Sequence, residues 1–136
     1  MEQIKIILVD DHKIVRESWS MLLNQTPGFS VIAECENGID AIEKAVELKP
    51  DIMLVDINMS SIDGFETTRS ILLKNPLVKI IGISINNQPN YAIKMLDSGA
   101  KGYLTKSSPL NEITTAIEEV YKGNTYVCEE VRKKMN

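Results

Sequence analysis

Five short apolar segments, each followed by a stretch with helical periodicity, constrain the fold of this chain more than any other feature. Their length and their content of β-branched residues are typical of strands that are buried on both faces of a sheet. The segments lie at residues 4–9, 29–35, 52–55, 78–83 and 101–105. Because strands that alternate with helices pair in parallel through right-handed crossovers, the sequence predicts an α/β protein with a doubly wound sheet.

The regions between these strands predict amphipathic helices. The first helix is expected from His12 to Gln25, and the helical spacing of Trp19 favours packing in the core over contact with a partner. Asp63 is expected to cap the third helix, which runs from about Gly64 to Lys74. The other helices are expected at about residues 38–48, 89–98 and 109–121. A (βα)5 chain of this kind favours a five-stranded parallel sheet in the flavodoxin-like order 2-1-3-4-5.

Composition excludes several classes of function. The chain has 136 residues and a net charge of −4, so it lacks the basic surface with which proteins bind nucleic acids or anionic membranes. No apolar run approaches the ~20 residues of a membrane span, and the N-terminus lacks a signal-peptide pattern. We therefore expect a cytoplasmic protein without membrane contact, with Cys35 and Cys128 as free thiols. Residues 1–123 are expected to form one domain, and residues 124–136 an extension or the start of a linker.

Polar side chains stand at the ends of four of the predicted strands. Asp10 and Asp11 follow the first strand, Asp56 the third, Ser84 ends the fourth and Lys106 follows the fifth. In the order 2-1-3-4-5 these strands are neighbours, so the five side chains are expected to meet at one rim of the sheet. Three adjacent carboxylates repel one another unless a cation lies among them. Oxygen ligands without cysteine or histidine suit a hard ion such as Mg2+.

This group of residues is suited to phosphoryl transfer. A carboxylate such as Asp56 can act as a nucleophile and form an acyl phosphate, and the transfer mainly requires positioning and neutralisation of charge. Lys106 and the Ser84 hydroxyl can each contact a phosphoryl oxygen. Taken singly, Lys106 could simply pair with an acid and Ser84 could cap the next helix. Because all five residues stand at the correct strand ends, the functional interpretation is favoured.

With these residues in place, residues 3–123 resemble the receiver domain of two-component response regulators. The resemblance implies that Asp56 is the phosphoacceptor, that Ser84 is the switch hydroxyl and that Lys106 is the family's lysine. It also implies that Tyr103 is the switch aromatic, which moves inward when the hydroxyl is drawn to the phosphoryl group.

The same resemblance implies a set of metal ligands. Asp11 and Asp56 would bind Mg2+ directly, together with the backbone carbonyl of Asn58, and Asp10 would act through water. The phosphoryl donor would be a sensor histidine kinase or a small acyl phosphate, and the chain would catalyse only its own phosphorylation and dephosphorylation.

One branch of the family is indicated by the segment GAKGYLTKSSPLNEITTAIEEVYKGNTYV and by the opening DDH. Both resemble the NarL/FixJ type, whose members usually carry a C-terminal LuxR-type helix-turn-helix domain. No such domain follows Asn136, so we expect this chain to be the receiver portion of a transcriptional regulator. It would contact DNA only through that output domain, and phosphorylation would promote a homodimer.

Three positions depart from the common family pattern. Ser60 stands where most members have proline, so the loop after Asp56 is expected to be less rigid. Ser107 follows Lys106 where many members have proline, which is usual in the NarL/FixJ branch. Ile85 follows the switch serine where many relatives have a small residue, and its bulk is expected to slow hydrolysis of the acyl phosphate.

Three alternatives remain beside the phosphorylated receiver. A haloacid-dehalogenase-like phosphatase also uses an aspartyl phosphate and Mg2+, but Asp10-Asp11-His12 does not fit the D-x-D pattern of that class. A flavodoxin-like cofactor binder would need a glycine-rich phosphate loop after the first strand, which is absent. A stand-alone receiver that acts by protein contact alone would show no Mg2+-dependent effect.

Overall fold

The computed structural model describes residues 3–135, which form an α/β protein with one parallel sheet. The strands are β1 (Ile4–Val9), β2 (Phe29–Cys35), β3 (Ile52–Asp56), β4 (Lys79–Ser84), β5 (Gly102–Thr105) and β6 (Tyr126–Val127). Each neighbouring pair is parallel, and the spatial order is β2-β1-β3-β4-β5-β6. The predicted fold class and the order of the first five strands are therefore confirmed.

The predicted count of five strands is one too low. The sixth strand, Tyr126–Val127, has only two residues and pairs with Gly102 and Tyr103 of β5. A strand of that length has no periodicity for a sequence pattern to reveal. It lies in the predicted C-terminal extension, residues 124–136. The last residue of that extension, and residues 1 and 2 of the predicted domain, lie outside the described part of the chain.

Six helices connect and flank the strands of residues 3–135. They are α1 (Lys13–Asn24), α2 (Gly38–Leu48), α3 (Gly64–Lys74), α4 (Pro89–Asp97), α5 (Leu110–Tyr121) and α6 (Glu129–Arg132). Asp63 caps α3 as predicted, because its Oδ1 accepts a hydrogen bond of 2.9 Å from Glu66 N. Asn37 caps α2 in the same way, through a bond of 2.8 Å from Asp40 N. Each cap satisfies one of the free amides in the first turn of its helix.

The core lies on both faces of the sheet. All five residues of β3 are buried, as are the last four of β1 and the last five of β4, which explains their nearly continuous apolar sequences. Trp19 is 7% exposed and belongs to this core, as its helical spacing predicted. Cys35 and Cys128 are buried free thiols, and burial raises the pKa of the Cys35 thiol to about 12. Within residues 3–135, no helix combines the length and the apolar character that a membrane span requires.

Gly64 fixes the loop that follows β3. Its amide donates a hydrogen bond of 3.1 Å to Ile57 O, so the start of α3 folds back against the end of the strand. A Cβ atom at this position would lie 2.5 Å from both Asp56 O and Ile57 Cα. Both are backbone atoms that cannot rotate away, so only glycine fits here.

Replacement of Gly64 by alanine is expected to destabilise the protein by about 1–3 kcal/mol, because the backbone at Asp56 must shift to admit the methyl group. Thermal or urea unfolding measures the effect. The control is Ser61→Ala, which changes an exposed residue of the same loop. Equal stability of the two variants would show that the loop adapts without cost.

Candidate functional site

Four strands deliver polar side chains to one rim of the sheet. Asp10 follows β1, Asp56 is the last residue of β3, Ser84 is the last residue of β4 and Lys106 follows β5. The carboxyl ends of parallel strands lie at the same edge, which is where open α/β sheets bind ligands. The structure brings Asp10, Asp56 and Lys106 into direct contact and places Ser84 beside them, through Asn58.

Lys106 bridges two buried carboxylates. Its Nζ lies 2.8 Å from Asp10 Oδ2 and 3.2 Å from Asp56 Oδ2, while the two aspartate side chains are 1% and 0% exposed. The contact with Asp56 is also an aligned hydrogen bond, whereas Asp10 Oδ2 has no aligned partner among the described residues. Two carboxylates that are shielded from solvent therefore share one ammonium group, and its single positive charge does not balance both negative charges.

The two carboxylates differ in their protonation behaviour. Burial raises the pKa of Asp56, and the nearby charge of Asp10 adds to this, so the net shift is upward despite the hydrogen bond from Asn58 N and the charge of Lys106. Burial acts on Asp10 in the same direction, but the Lys106 ammonium at 2.8 Å and the hydrogen bonds from His12 outweigh it and lower the pKa of Asp10. Asp10 therefore holds its negative charge more firmly than Asp56, and a further cation at the site would favour the ionised form of Asp56.

His12 is a member of this group that the sequence interpretation did not include. Its Nδ1 lies 3.0 Å from Asp10 Oδ1, 3.2 Å from Asp11 Oδ1 and 3.7 Å from Asp56 Oδ2. The backbone amide of His12 also donates to Asp10 Oδ1 at 2.8 Å. The available signal was its position directly after the acidic pair, but a single histidine beside acids has too many structural explanations to be assigned a role.

Ser84 is held in a network that joins the loops after β3 and β4. Its hydroxyl donates to the side-chain oxygen Oδ1 of Asn58 at 2.9 Å. The backbone amide of Asn58 in turn donates to Asp56 Oδ1 at 3.0 Å. Asn86 N donates to Ser84 Oγ at 2.9 Å, so the hydroxyl does not cap α4, whose N-cap residue is Gln88. The side chain of Asn58 thus holds the predicted switch hydroxyl, while the predicted role of its backbone carbonyl as a ligand stays a prediction.

Tyr103 lies inside the protein. The side chain is 0% exposed, and its hydroxyl donates a hydrogen bond of 2.7 Å to Asn86 O. Burial raises the pKa of Tyr103 to about 12, so the phenol is neutral at physiological pH and remains a donor. The residue that the sequence identified as the switch aromatic is therefore attached to the loop that carries Ser84.

The donor atoms of this site suit a hard divalent cation. One potential ligand atom from each of Asp10, Asp11, His12 and Asp56 lies within 4.8 Å of the others. An octahedral Mg2+ with ligands at about 2.1 Å needs them about 2.9–4.2 Å apart, so only a small contraction is required. Two buried carboxylates that share one ammonium group, and the raised pKa of Asp56, are further reasons for a cation to bind here. Imidazole is not a preferred ligand of Mg2+, so the carboxylates of this group, and not His12, are the donors expected at the cation site.

Addition of Mg2+ is expected to raise the unfolding temperature by a few degrees. At ten times its dissociation constant, a ligand that binds only the folded state adds about 1.4 kcal/mol of stability. Asp11→Asn should lose most of this effect, because the partly exposed Asp11 carboxylate is a predicted ligand. The matched control, Asp97→Asn, changes an exposed acid at the end of α4 and should keep the effect. A similar response of both variants would exclude Asp11 from the metal site.

Comparison with known proteins agrees with the fold. The fold is that of the flavodoxin-like α/β proteins, with the polar group at the carboxyl ends of the strands. The family model of the response regulator receiver domain matches residues 6–118, and the chain therefore belongs to that family. Receiver domains of two-component response regulators are signalling switches and not classical enzymes.

Relatives come from several bacteria. The chain is 33% identical to the response regulator GacA of Pseudomonas syringae over 132 residues. This aligned segment covers 97% of this chain and 62% of the relative. It is 38% identical over 124 residues to the oxygen regulatory protein NreC of Staphylococcus aureus, with 90% of this chain and 57% of the relative covered. The chain thus spans about three fifths of the length of these curated relatives.

Solved structures show the same architecture. A two-component response regulator of the LuxR family from Aurantimonas superposes with a TM-score of 0.94 at 32% identity, over 98% of this chain and 96% of that one. The signal receiver domain of a putative response regulator NarL from Mycobacterium tuberculosis gives a TM-score of 0.85 at 28% identity, over 91% and 100% of the two chains. These similarities support the NarL/FixJ-type receiver that the sequence predicts.

Proposed function

We propose that this chain is a phosphorylation-controlled switch in which Asp56 accepts a phosphoryl group from a sensor histidine kinase in a Mg2+-dependent reaction. The observation that carries the proposal is the pair of buried carboxylates, Asp10 and Asp56, that share the Lys106 ammonium at 2.8 and 3.2 Å. Burial of this much charge is costly and is typical of sites that bind a charged ligand.

The residues of the site divide the chemical work. A carboxylate oxygen of Asp56 forms a bond to phosphorus while the bond from phosphorus to the donor imidazole breaks, and the imidazole keeps the electron pair. The hydrogen bond from the backbone amide of Asn58 to Asp56 Oδ1 fixes the orientation of the nucleophilic carboxylate. Lys106 lies beside Oδ2, where it can balance charge on the transferred group.

Mg2+ would be held by Asp11, Asp56 and the backbone carbonyl of Asn58, with Asp10 acting through water. When bound, it neutralises carboxylates and phosphoryl oxygens during transfer. We infer that the chain catalyses only its own phosphorylation and dephosphorylation and acts on no other substrate.

The switch follows from the new charge on Asp56. In the unphosphorylated protein Ser84 binds Asn58 and Lys106 binds Asp10. A phosphoryl group would offer both side chains new acceptors that exist only in the phosphorylated state. Tyr103 shares the Ser84 loop through Asn86 O and would respond to its movement. Phosphorylation thereby biases an equilibrium between two arrangements of the loops.

The output of the switch is proposed from the relatives. DegU of Brevibacillus brevis, 35% identical, is a transcriptional regulatory protein, and this chain covers 53% of its length. We infer a cytoplasmic transcriptional regulator in which residues 1–123 are the receiver and residues 124–136 lead towards a LuxR-type DNA-binding domain. Phosphorylation would promote a homodimer, and DNA would be contacted only through the output domain.

Incubation with acetyl phosphate and Mg2+ is expected to add the mass of one phosphoryl group, as measured by intact-protein mass spectrometry. Asp56→Asn should carry no adduct, because the amide is not a nucleophile. An adduct that persists unchanged in Asp56→Asn contradicts the proposal. Steady turnover of a generic phosphate ester would favour the phosphatase alternative, and a lack of any Mg2+-dependent effect would favour a receiver that acts by contact alone.

Ile85→Ala is expected to shorten the lifetime of the acyl phosphate about threefold, which is about 0.7 kcal/mol of activation free energy. Ile85 directly follows Ser84 and is 78% exposed, so its side chain lies on the solvent side of the site. The decay of the phosphorylated mass gives the rate. The control is Leu77→Ala, which removes an 86% exposed side chain before β4, at the opposite end of the sheet. An unchanged lifetime in Ile85→Ala would refute the shielding role.

A further inference from the structure

The C-terminal helix is connected to the functional site by one carboxylate. Glu130, in α6, accepts a hydrogen bond of 2.7 Å from Asn87 Nδ2 at its Oε2. Its Oε1 accepts one of 2.8 Å from Thr105 Oγ1 and one of 3.2 Å from Ser107 Oγ. These bonds hold the pKa of Glu130 below its usual range, so the group is a carboxylate at neutral pH.

The three donors belong to the two loops that carry the site. Thr105 and Ser107 flank Lys106, and Asn87 is the third residue after Ser84. The loops are also joined directly, because Lys106 N donates to Ser84 O at 2.8 Å. A displacement of Ser84 or Lys106 therefore reaches the donors of Glu130 across one to three residues of backbone.

From this arrangement we propose that Glu130 is a positioning residue, which holds both loops in their unphosphorylated arrangement and transmits their displacement to the C-terminal helix. The proposal rests on the phosphorylation of Asp56 proposed above. When Ser84 and Lys106 turn towards a phosphoryl group, Asn87, Thr105 and Ser107 move with them. The hydrogen bonds to Glu130 fit the present position of the loops. Displacement of the loops would therefore weaken these hydrogen bonds, and α6 would loosen.

Other contacts confine this loosening to the helix. Glu112 Oε2 accepts bonds from Tyr126 OH at 2.9 Å and from Glu129 N at 2.8 Å, which anchor β6 and the first residue of α6 independently. Cys128 N donates to Tyr103 O at 2.9 Å. Val131 is 0% exposed in the core, so loss of the Glu130 bonds should loosen the terminal hydrogen bonds of residues 132–135 and leave Val131 and the sheet in place. This segment is where the chain continues towards the proposed output domain.

Hydrogen exchange of the C-terminal peptide tests the proposal. The amides of Arg132, Lys133, Lys134 and Met135 donate to carbonyls within residues 128–132, so their exchange reports the opening of α6. In the unmodified protein, Mg2+ with beryllofluoride, a stable phosphoryl mimic, is expected to speed this exchange about three- to tenfold. Glu130→Ala should show the faster exchange without the mimic and respond little to it, and Glu130→Gln should lie between.

The matched control is Glu129→Ala. Glu129 precedes Glu130 in the same helix and pairs with Lys133 at 3.4 Å, and none of the hydrogen bonds within residues 3–135 joins its side chain to either loop. This variant should exchange like the unmodified protein and keep its response. Unchanged exchange in the rest of both variants shows that the fold is retained.

Thermodynamic reciprocity provides a second measurement. If occupation of the site weakens the Glu130 bonds, then removal of these bonds must tighten binding of beryllofluoride, by at most the factor seen in the exchange. Titration with Glu130→Ala and Glu129→Ala measures this difference.

The outcomes separate the two proposals. Equal exchange in Glu130→Ala and Glu129→Ala overturns the positioning role, as does bound beryllofluoride that leaves the exchange of the C-terminal peptide unchanged. If neither acetyl phosphate nor beryllofluoride acts at Asp56, the proposed function fails and this inference fails with it.

Discussion

The contact of Lys106 with Asp10 and Asp56 is the interaction on which the rest of the site depends. Two carboxylates that are 1% and 0% exposed would repel each other strongly without a cation between them. The lysine reaches them from the end of β5, across β4, so its position requires the strand order β1-β3-β4-β5. It also requires a fixed loop, in which Ser108 N donates to Thr105 O at 3.0 Å. The topology of the sheet is thus a condition for the charge balance of the site.

That balance is incomplete, and this is what makes the site responsive. One ammonium serves two anions, the pKa of Asp56 is raised by burial and by its neighbour Asp10, and Asp10 Oδ2 has no aligned hydrogen bond from any of residues 3–135. A divalent cation relieves both deficits at once. In the proposed switch, a phosphoryl group on Asp56 would then draw the lysine away from Asp10 and the Ser84 hydroxyl away from Asn58. A fully compensated pair would gain nothing from either ligand, and its loops would have no reason to move.

The sequence predicted the parts of this protein that depend on local patterns. The first five strands, the cap at Asp63 and the strand-end positions of Asp10, Asp56, Ser84 and Lys106 all follow from hydrophobic runs and turn residues. The missed features depend on contacts between loops that are distant in sequence. The two-residue strand β6 exists only because β5 offers an edge to pair with, and the bond from Ser84 to Asn58 joins residues 26 positions apart. Glu130 belongs to the same category, since its partners Asn87, Thr105 and Ser107 lie 23 to 43 positions away. His12 was missed for a different reason, because it directly follows its acidic partners and a single histidine beside acids has too many structural explanations.

The short path between the site and the C-terminal helix follows from the way that the loops are built. The loops after β4 and β5 share a backbone hydrogen bond, and Tyr103 OH adds a second connection through Asn86 O. In the proposed switch they would therefore shift together, and a chain of side chains would not be needed to carry a change across the domain. A carboxylate that binds both loops, as Glu130 does, responds to the position of both loops rather than to any one residue. Coupling in this protein would then be set by how far the two loops shift together, which is a property of the β4–β5 edge and not of the C-terminal segment itself.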